Sequence, residues 1–218
     1  MNNYKIVFMG TPDFGIPSLN ELYKQGYEVE AVYTQPDRVN KRGNKVQFSA
    51  VKQFALEHDI TIYQPNSLKD EKELDVLRAL NPDLIIVIAY GKILPQAVLD
   101  IPKYGVINVH ASLLPKYRGA APVQRSIIDG EETTGVTIMQ LDAGMDTGNI
   151  IAEKSVFITP HMTSEDLFDV LSNVGAKLLI DVLDDLPAKL AASVKQDESK
   201  ATYAEKLTKE MGHINWND

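Results

Sequence analysis

The run Leu84-Ile85-Ile86-Val87-Ile88-Ala89 is apolar on both faces of an extended chain. Such a strand cannot keep one face in water, so it belongs in the middle of a parallel sheet covered on both sides by helices. It is also far below the roughly 20 residues that a membrane-spanning helix needs. An earlier apolar run, Ile6 to Met9, stops at Gly10 and is too short for the core of a signal peptide. The sequence contains no Cys, which removes disulfides, thiolate nucleophiles and zinc-ribbon sites from consideration. The expectation is a cytoplasmic chain with no membrane partner.

The segments around this strand alternate between two periodicities. Lys5 to Met9 reads as a strand, Ile16, Leu19, Leu22 and Tyr23 recur at helical spacing, and Glu28 to Tyr33 alternates as a second strand. Ser49 caps a helix carrying Val51, Phe54 and Ala55, Ile60 to Ile62 is a brief strand, and Lys69 to Leu80 is an amphipathic helix. This order implies a Rossmann-like, doubly wound α/β sheet with right-handed crossovers. Gly105 to His110 is a further strand and Gly119 to Asp129 a helix. Thr133 to Leu141 and Ile150 to Ile158 then read as an antiparallel extension, joined through the glycine-rich stretch Asp142 to Gly148. Ser164 to about Asp185 is a long helix, and from Pro187 the pattern decays into polar, Lys-rich sequence. The expected architecture is one domain, 1–187, followed by a tail or linker, 188–218.

Charge narrows the choice of partner. Twenty-two Lys and Arg against 30 Asp and Glu give a net charge of −8, so any nucleic acid must be held by a local basic patch. The stretch Gln35 to Lys52 supplies one: Arg38, Lys41, Arg42, Lys45 and Lys52 stand against the single acid Asp37. A solvated loop and an anion-binding segment both fit that composition. The turn Gly10 to Gly15 lacks the spacing of either glycine-rich phosphate motif and serves close packing of a helix, or a ligand contact through Phe14.

Asn108 and His110 carry the strongest chemical signal. Two apart at the carboxyl end of a strand, they project to one face, at the edge where open α/β sheets bind ligands. An imidazole supplies acid/base chemistry and the neighbouring amide an oxyanion donor. Ser112 lacks the setting of a nucleophile elbow, and the four His have no paired ligand spacing, so no metal is expected. Asp142 and Asp146 among glycines satisfy a turn; folded back over the sheet edge, the same loop would bring Asp146 to His110.

The stretch Asn108 to Arg125, together with Gly135 to Gly148, resembles the folate-dependent formyltransferases. Gly10 to Phe14 and Thr34 to Arg38 look like that family's first and second strand ends, and the likeness extends to Trp216. Arg118 to Arg125 and Ile138 to Asp142 point to the branch that acts on tRNA. The resemblance implies formyl transfer from 10-formyltetrahydrofolate to the amino group of methionyl initiator tRNA, without metal. It implies Asn108, His110 and Asp146 as the catalytic set. It places the folate near Ile88, Tyr90, Gly91 and Leu94, near Ser112, Leu113, Leu114 and Pro115, and near Asp142. Phe14, Arg38, Lys41, Arg42 and Lys45 are then the residues that meet the acceptor. Because the family continues into a β-rich C-terminal domain, the further expectation is a catalytic domain without it and a weakened hold on tRNA. The rival readings are a formyltransferase or hydrolase acting on a small acceptor (an amino sugar nucleotide, glycinamide ribonucleotide or water) and a non-catalytic folate-binding module.

Overall fold

The structure is a computed structural model that describes residues 4–39 and 46–213. Along the chain come β1 (Lys5–Gly10), α1 (Ile16–Lys24), β2 (Glu28–Tyr33), β3 (Arg38–Val39), β4 (Val46–Gln47), α2 (Ala50–Glu57), β5 (Thr61–Tyr63), α3 (Glu71–Leu80), β6 (Leu84–Ile88) and α4 (Gln96–Leu99). They are followed by β7 (Val106–His110), β8 (Arg118–Gly119), α5 (Pro122–Ile128), β9 (Thr133–Gln140), β10 (Ile150–Phe157), α6 (Ser164–Leu183), α7 (Leu186–Ala191) and β11 (Tyr203–Ala204). Seven strands form one sheet in the order β10-β9-β7-β6-β1-β2-β5. The five from β5 to β7 are parallel, while β9 runs antiparallel to β7 and β10 antiparallel to β9.

The doubly apolar strand sits where its composition demands. All five residues of β6 are buried, with β1 on one side and β7 on the other. Leu84, Ile86 and Ile88 join one core layer with Leu19 and Leu22 of α1, Phe54 of α2 and Leu171 of α6. Ile85 and Val87 join the other layer with Leu74 and Leu77 of α3 and Val98 of α4. Gly175 lets α6 approach closely, because a Cβ there would stand 2.8 Å from a Val109 methyl.

Strand order reverses between β1 and β6, and the loops at their carboxyl ends part to leave a crevice. Polar bonds tie its floor together. Thr11 Oγ1 and Gln35 Nε2 both donate to the Tyr90 carbonyl, at 3.1 and 3.0 Å. Ala89 and Gly91 take the left-handed conformation that turns the chain away from β6.

Two segments depart from the sequence expectation. The helix expected from Gly119 starts at Pro122, because Arg118 and Gly119 pair with Tyr203 and Ala204. Gly119 has φ +113°, and a Cβ would meet the Ala204 carbonyl at 3.0 Å. The polar sequence after Pro187 contains α7 and then returns along the domain: Val194 bridges Ile150, and Tyr203–Ala204 lies beside Arg118–Gly119. Periodicity carries no trace of this return, since its strand is two residues long.

Candidate active site

The register of the sheet shows why Asn108 is unusual. Tyr33, Met9, Val87, Asn108 and Met139 form one continuous row across β2, β1, β6, β7 and β9, and Asn108 is the one amide in it. It is 9% exposed, and its side chain makes no hydrogen bond to a described residue. The amide opens on the cavity and is free to bond a ligand there.

His110 lies on the same face, one step nearer the carboxyl edge, and is 6% exposed. Its Nε2–H donates to the Tyr117 carbonyl at 2.9 Å. That bond leaves Nδ1 on the side of Asp146, whose Oδ2 is 3.8 Å away. Tyr117 is itself held firmly. Its N–H donates to Thr202 Oγ1 at 2.9 Å, and its phenol lies 2.9 Å from Asp129 Oδ2 and 3.1 Å from Glu131 Oε1. Burial and the two carboxylates push that phenol's pKa well above its usual value. Lys116, followed by Tyr117, holds Glu131 below the ordinary glutamate value.

Asp146 reaches the site from the loop between β9 and β10. Its backbone is left-handed, with φ +54°, and its Oδ2 accepts the Gly119 N–H at 2.8 Å. Gln196 Nε2 donates to the carbonyls of Asp146 and Gly148, at 2.8 and 2.7 Å. Gln196 Oε1 accepts from Arg118 Nε and Nη2, at 3.1 and 2.8 Å. Arg118 is wholly buried and grips Glu198 with a two-pronged ion pair at 2.9 and 2.8 Å.

A cavity of about 750 Å³ opens over these groups, within the range typical of small-molecule sites. The structure brings Asn108, His110 and Asp146 together on its wall, with Phe14, Tyr90, Gly91, Leu94 and Asp142 also lining it. Phe14 is set edge-on against Phe168, ring centres 4.9 Å apart. The remaining residues expected at the folate lie outside this lining. Ile88 is buried beneath Gly15, and Ser112 to Pro115 form no part of the lining. Ser112 turns inward, its hydroxyl donating to the Lys116 carbonyl at 2.6 Å, and Leu113 packs over Gly135 of β9.

Arg38 is exposed and pairs through β3 with Gln47 of β4, whereas Lys41, Arg42 and Lys45 lie outside the described residues. Lys52 is engaged by Asp37 and Gln64 and lies 4.2 Å from the Phe48 ring centre, so its charge is met within the chain. That pairing holds Asp37 below its ordinary value. Among the described residues no group of three His, Asp or Glu is placed to bind a metal, and no helix is long and apolar enough to cross a membrane. Sequence reasoning passed over Gln196, Glu198 and Tyr117. Nothing local marks the first two, and Tyr117 acts through its backbone carbonyl.

A polar pair at the carboxyl edge of a doubly wound sheet, one strand from its switch point and met by a carboxylate from the antiparallel extension, defines a class. Residues 4–183 match the formyl transferase family model, and the chain belongs to that family. Among curated proteins it is 51% identical over 213 residues to the methionyl-tRNA formyltransferase of Caldanaerobacter subterraneus subsp. tengcongensis, covering 97% of this chain and 69% of the relative. The enzyme of the same name from Clostridium perfringens matches with the same identity and coverage. The fold is also that of more distant solved structures. Glycinamide ribonucleotide transformylase 1 from Symbiobacterium toebii superposes with a TM-score of 0.73 at 17% identity, covering 89% of this chain and 95% of the other. The N-formyltransferase of Helicobacter canadensis, solved with folinic acid and dTDP-3-aminofucose, superposes at 0.70 and 22% identity, covering 92% and 70%.

Proposed function

We propose that this chain transfers the formyl group of 10-formyltetrahydrofolate to the α-amino group of methionyl initiator tRNA. The observation that carries the reading is the meeting of Asn108, His110 and Asp146 on one cavity wall, in a chain half identical to enzymes of that name. The formyl donor is a substrate, and the mostly apolar cavity lining, with Tyr90, Leu94 and Asp142, suits an aromatic ring system bearing hydrogen-bonding edges.

The neutral amine attacks the formyl carbon, forming a C–N bond and placing negative charge on the formyl oxygen. Asn108, whose amide is otherwise unpartnered, donates to that oxygen. The amine nitrogen becomes an ammonium and must lose a proton. His110 Nδ1 accepts it, because Nε2–H is already committed to Tyr117. Asp146 then stabilises the imidazolium across the 3.8 Å gap. Breaking the bond to the folate nitrogen returns that proton to the leaving amine, so atoms and charge balance. Arg38, Lys41, Arg42 and Lys45 supply the local positive charge for the acceptor's phosphates in an otherwise acidic chain.

The test is transfer of labelled formyl from 10-formyltetrahydrofolate to methionyl initiator tRNA, run beside glycinamide ribonucleotide and an amino sugar nucleotide. Transfer to a small acceptor with none to tRNA overturns the reading.

A further inference from the structure

We propose that Gln196, held by an Arg118 that is itself paired with Glu198, is the positioning residue that sets Asp146 opposite His110 for formyl transfer; the inference rests on the function proposed above. The loop carrying Asp146 is exposed from Asp142 to Met145 and is bonded across its own ends: Asp142 Oδ1 accepts from the Gly144 N–H at 3.0 Å and the Thr147 hydroxyl at 2.6 Å. Those two bonds close the turn around Asp146, but neither is made to Asp146 itself. The bond to its backbone carbonyl comes from fifty residues downstream, where one buried amide nitrogen serves two carbonyls, those of Asp146 and Gly148. Only this orientation of the Gln196 amide places oxygen against the guanidinium and nitrogen against the carbonyls, so Arg118 selects it.

The brace closes on itself. Arg118 and Gly119 are neighbours, and the Gly119 N–H donates to the Asp146 carboxylate. Asp146 is therefore held at its carbonyl through Gln196 and at its carboxylate through Gly119, and both contacts refer to the same two-residue strand, β8. Gln196 is 4% exposed, while Glu198, at 60%, is the solvent-facing end of the clamp. The acid–base pair is thus built from two separate parts of the chain, the β9–β10 loop and the segment after α7.

Gln196→Met keeps the volume and removes both bonds to the loop. A displacement of order 1 Å in a reacting group can cost about 10²-fold in rate, so kcat should fall on the order of 10–10²-fold. KM for the formyl donor should change little, since the Asp142 turn is self-held. Two readouts separate positioning from simple loss of structure. The Gly119 amide, which senses the Asp146 carboxylate, should exchange with solvent about tenfold faster or more, while the Ala120 and Ala121 amides, bonded to the Ala204 carbonyl, keep their protection. Rate losses of Gln196→Met and Asp146→Asn should also fail to multiply in the double variant. Glu198→Ala, at an exposed position, should shift Gly119 exchange in the same direction to a smaller degree and stands in if Gln196→Met does not fold. Unchanged Gly119 exchange in these variants, or fully multiplicative rate losses, overturns the proposal. Faster Gly119 exchange in a chain that transfers no formyl group to tRNA would instead overturn the functional reading and leave the brace standing.

Discussion

Two places on the same face of the sheet treat buried polar groups in opposite ways. Toward β7, His110, Arg118 and Gln196 are buried and tied to named partners, while Asn108, which opens on the cavity, is left without one among the described residues. Toward β2, the phenols of Tyr33 and Tyr90 are buried with no hydrogen bond to a described residue. There burial pushes the Tyr90 hydroxyl up to about 12 and the Tyr33 hydroxyl further still. Tyr33 stacks on Tyr63, rings 4.9 Å apart, so the aromatic surface rather than the hydroxyl is what that corner uses. At β7 the polar atoms determine the arrangement; at β2 apolar packing tolerates them.

The largest effects that could break this comparison are catalytic. Asn108→Ala, His110→Ala and Asp146→Ala should each leave the fold intact while lowering turnover by about 10²–10⁴-fold, and combined losses should fall short of their product. Near-normal formyl transfer by His110→Ala would remove it from the chemistry. Next comes stability. Arg118→Met strands the Gln196 oxygen but lets Glu198 turn to water, so unfolding in urea should show a loss of about 1–3 kcal/mol rather than the larger cost of a stranded buried charge.

The same clamp has a pH signature. Arg118 holds the Glu198 carboxyl below the ordinary 4.5. Its contribution is therefore complete above that ordinary value and is lost as pH falls through the lowered one. Melting temperatures followed from neutral pH into acid should decline less steeply in Glu198→Gln than in the parent; parallel curves would show that the pair adds nothing. A smaller effect concerns the acceptor: Arg42→Ala should reduce the salt slope of tRNA binding by about one unit with folate affinity unchanged. The smallest belongs to the β2 corner. Tyr33→Phe and Tyr90→Phe remove hydroxyls that bond nothing described, so stability should stay within about 0.5 kcal/mol or rise. A loss above that range would mean that the phenols are not mere passengers.

Local order decided what could be read from the chain. Alternation and helical spacing located the principal strands and helices because each depends on residues a few positions apart. The doubly apolar β6 implied its own place in the sheet, and the two-residue spacing of Asn108 and His110 put them on one face at one edge. The pairing of Asp146 with His110 could not be read in that way. It depends on β9 lying antiparallel beside β7 in the register that sets His110 against Thr137, a contact between segments 27 residues apart. The resemblance names Ser112 to Pro115 as folate residues; they lie outside the cavity lining, and the Ser112 hydroxyl bonds the Lys116 carbonyl instead. The return of Gln196 and Glu198 to Arg118 spans about eighty residues and leaves no periodic mark. Short-range sterics and burial act along the sequence and are written there; hydrogen bonds that close the site join distant segments, and only the assembled sheet brings them within reach.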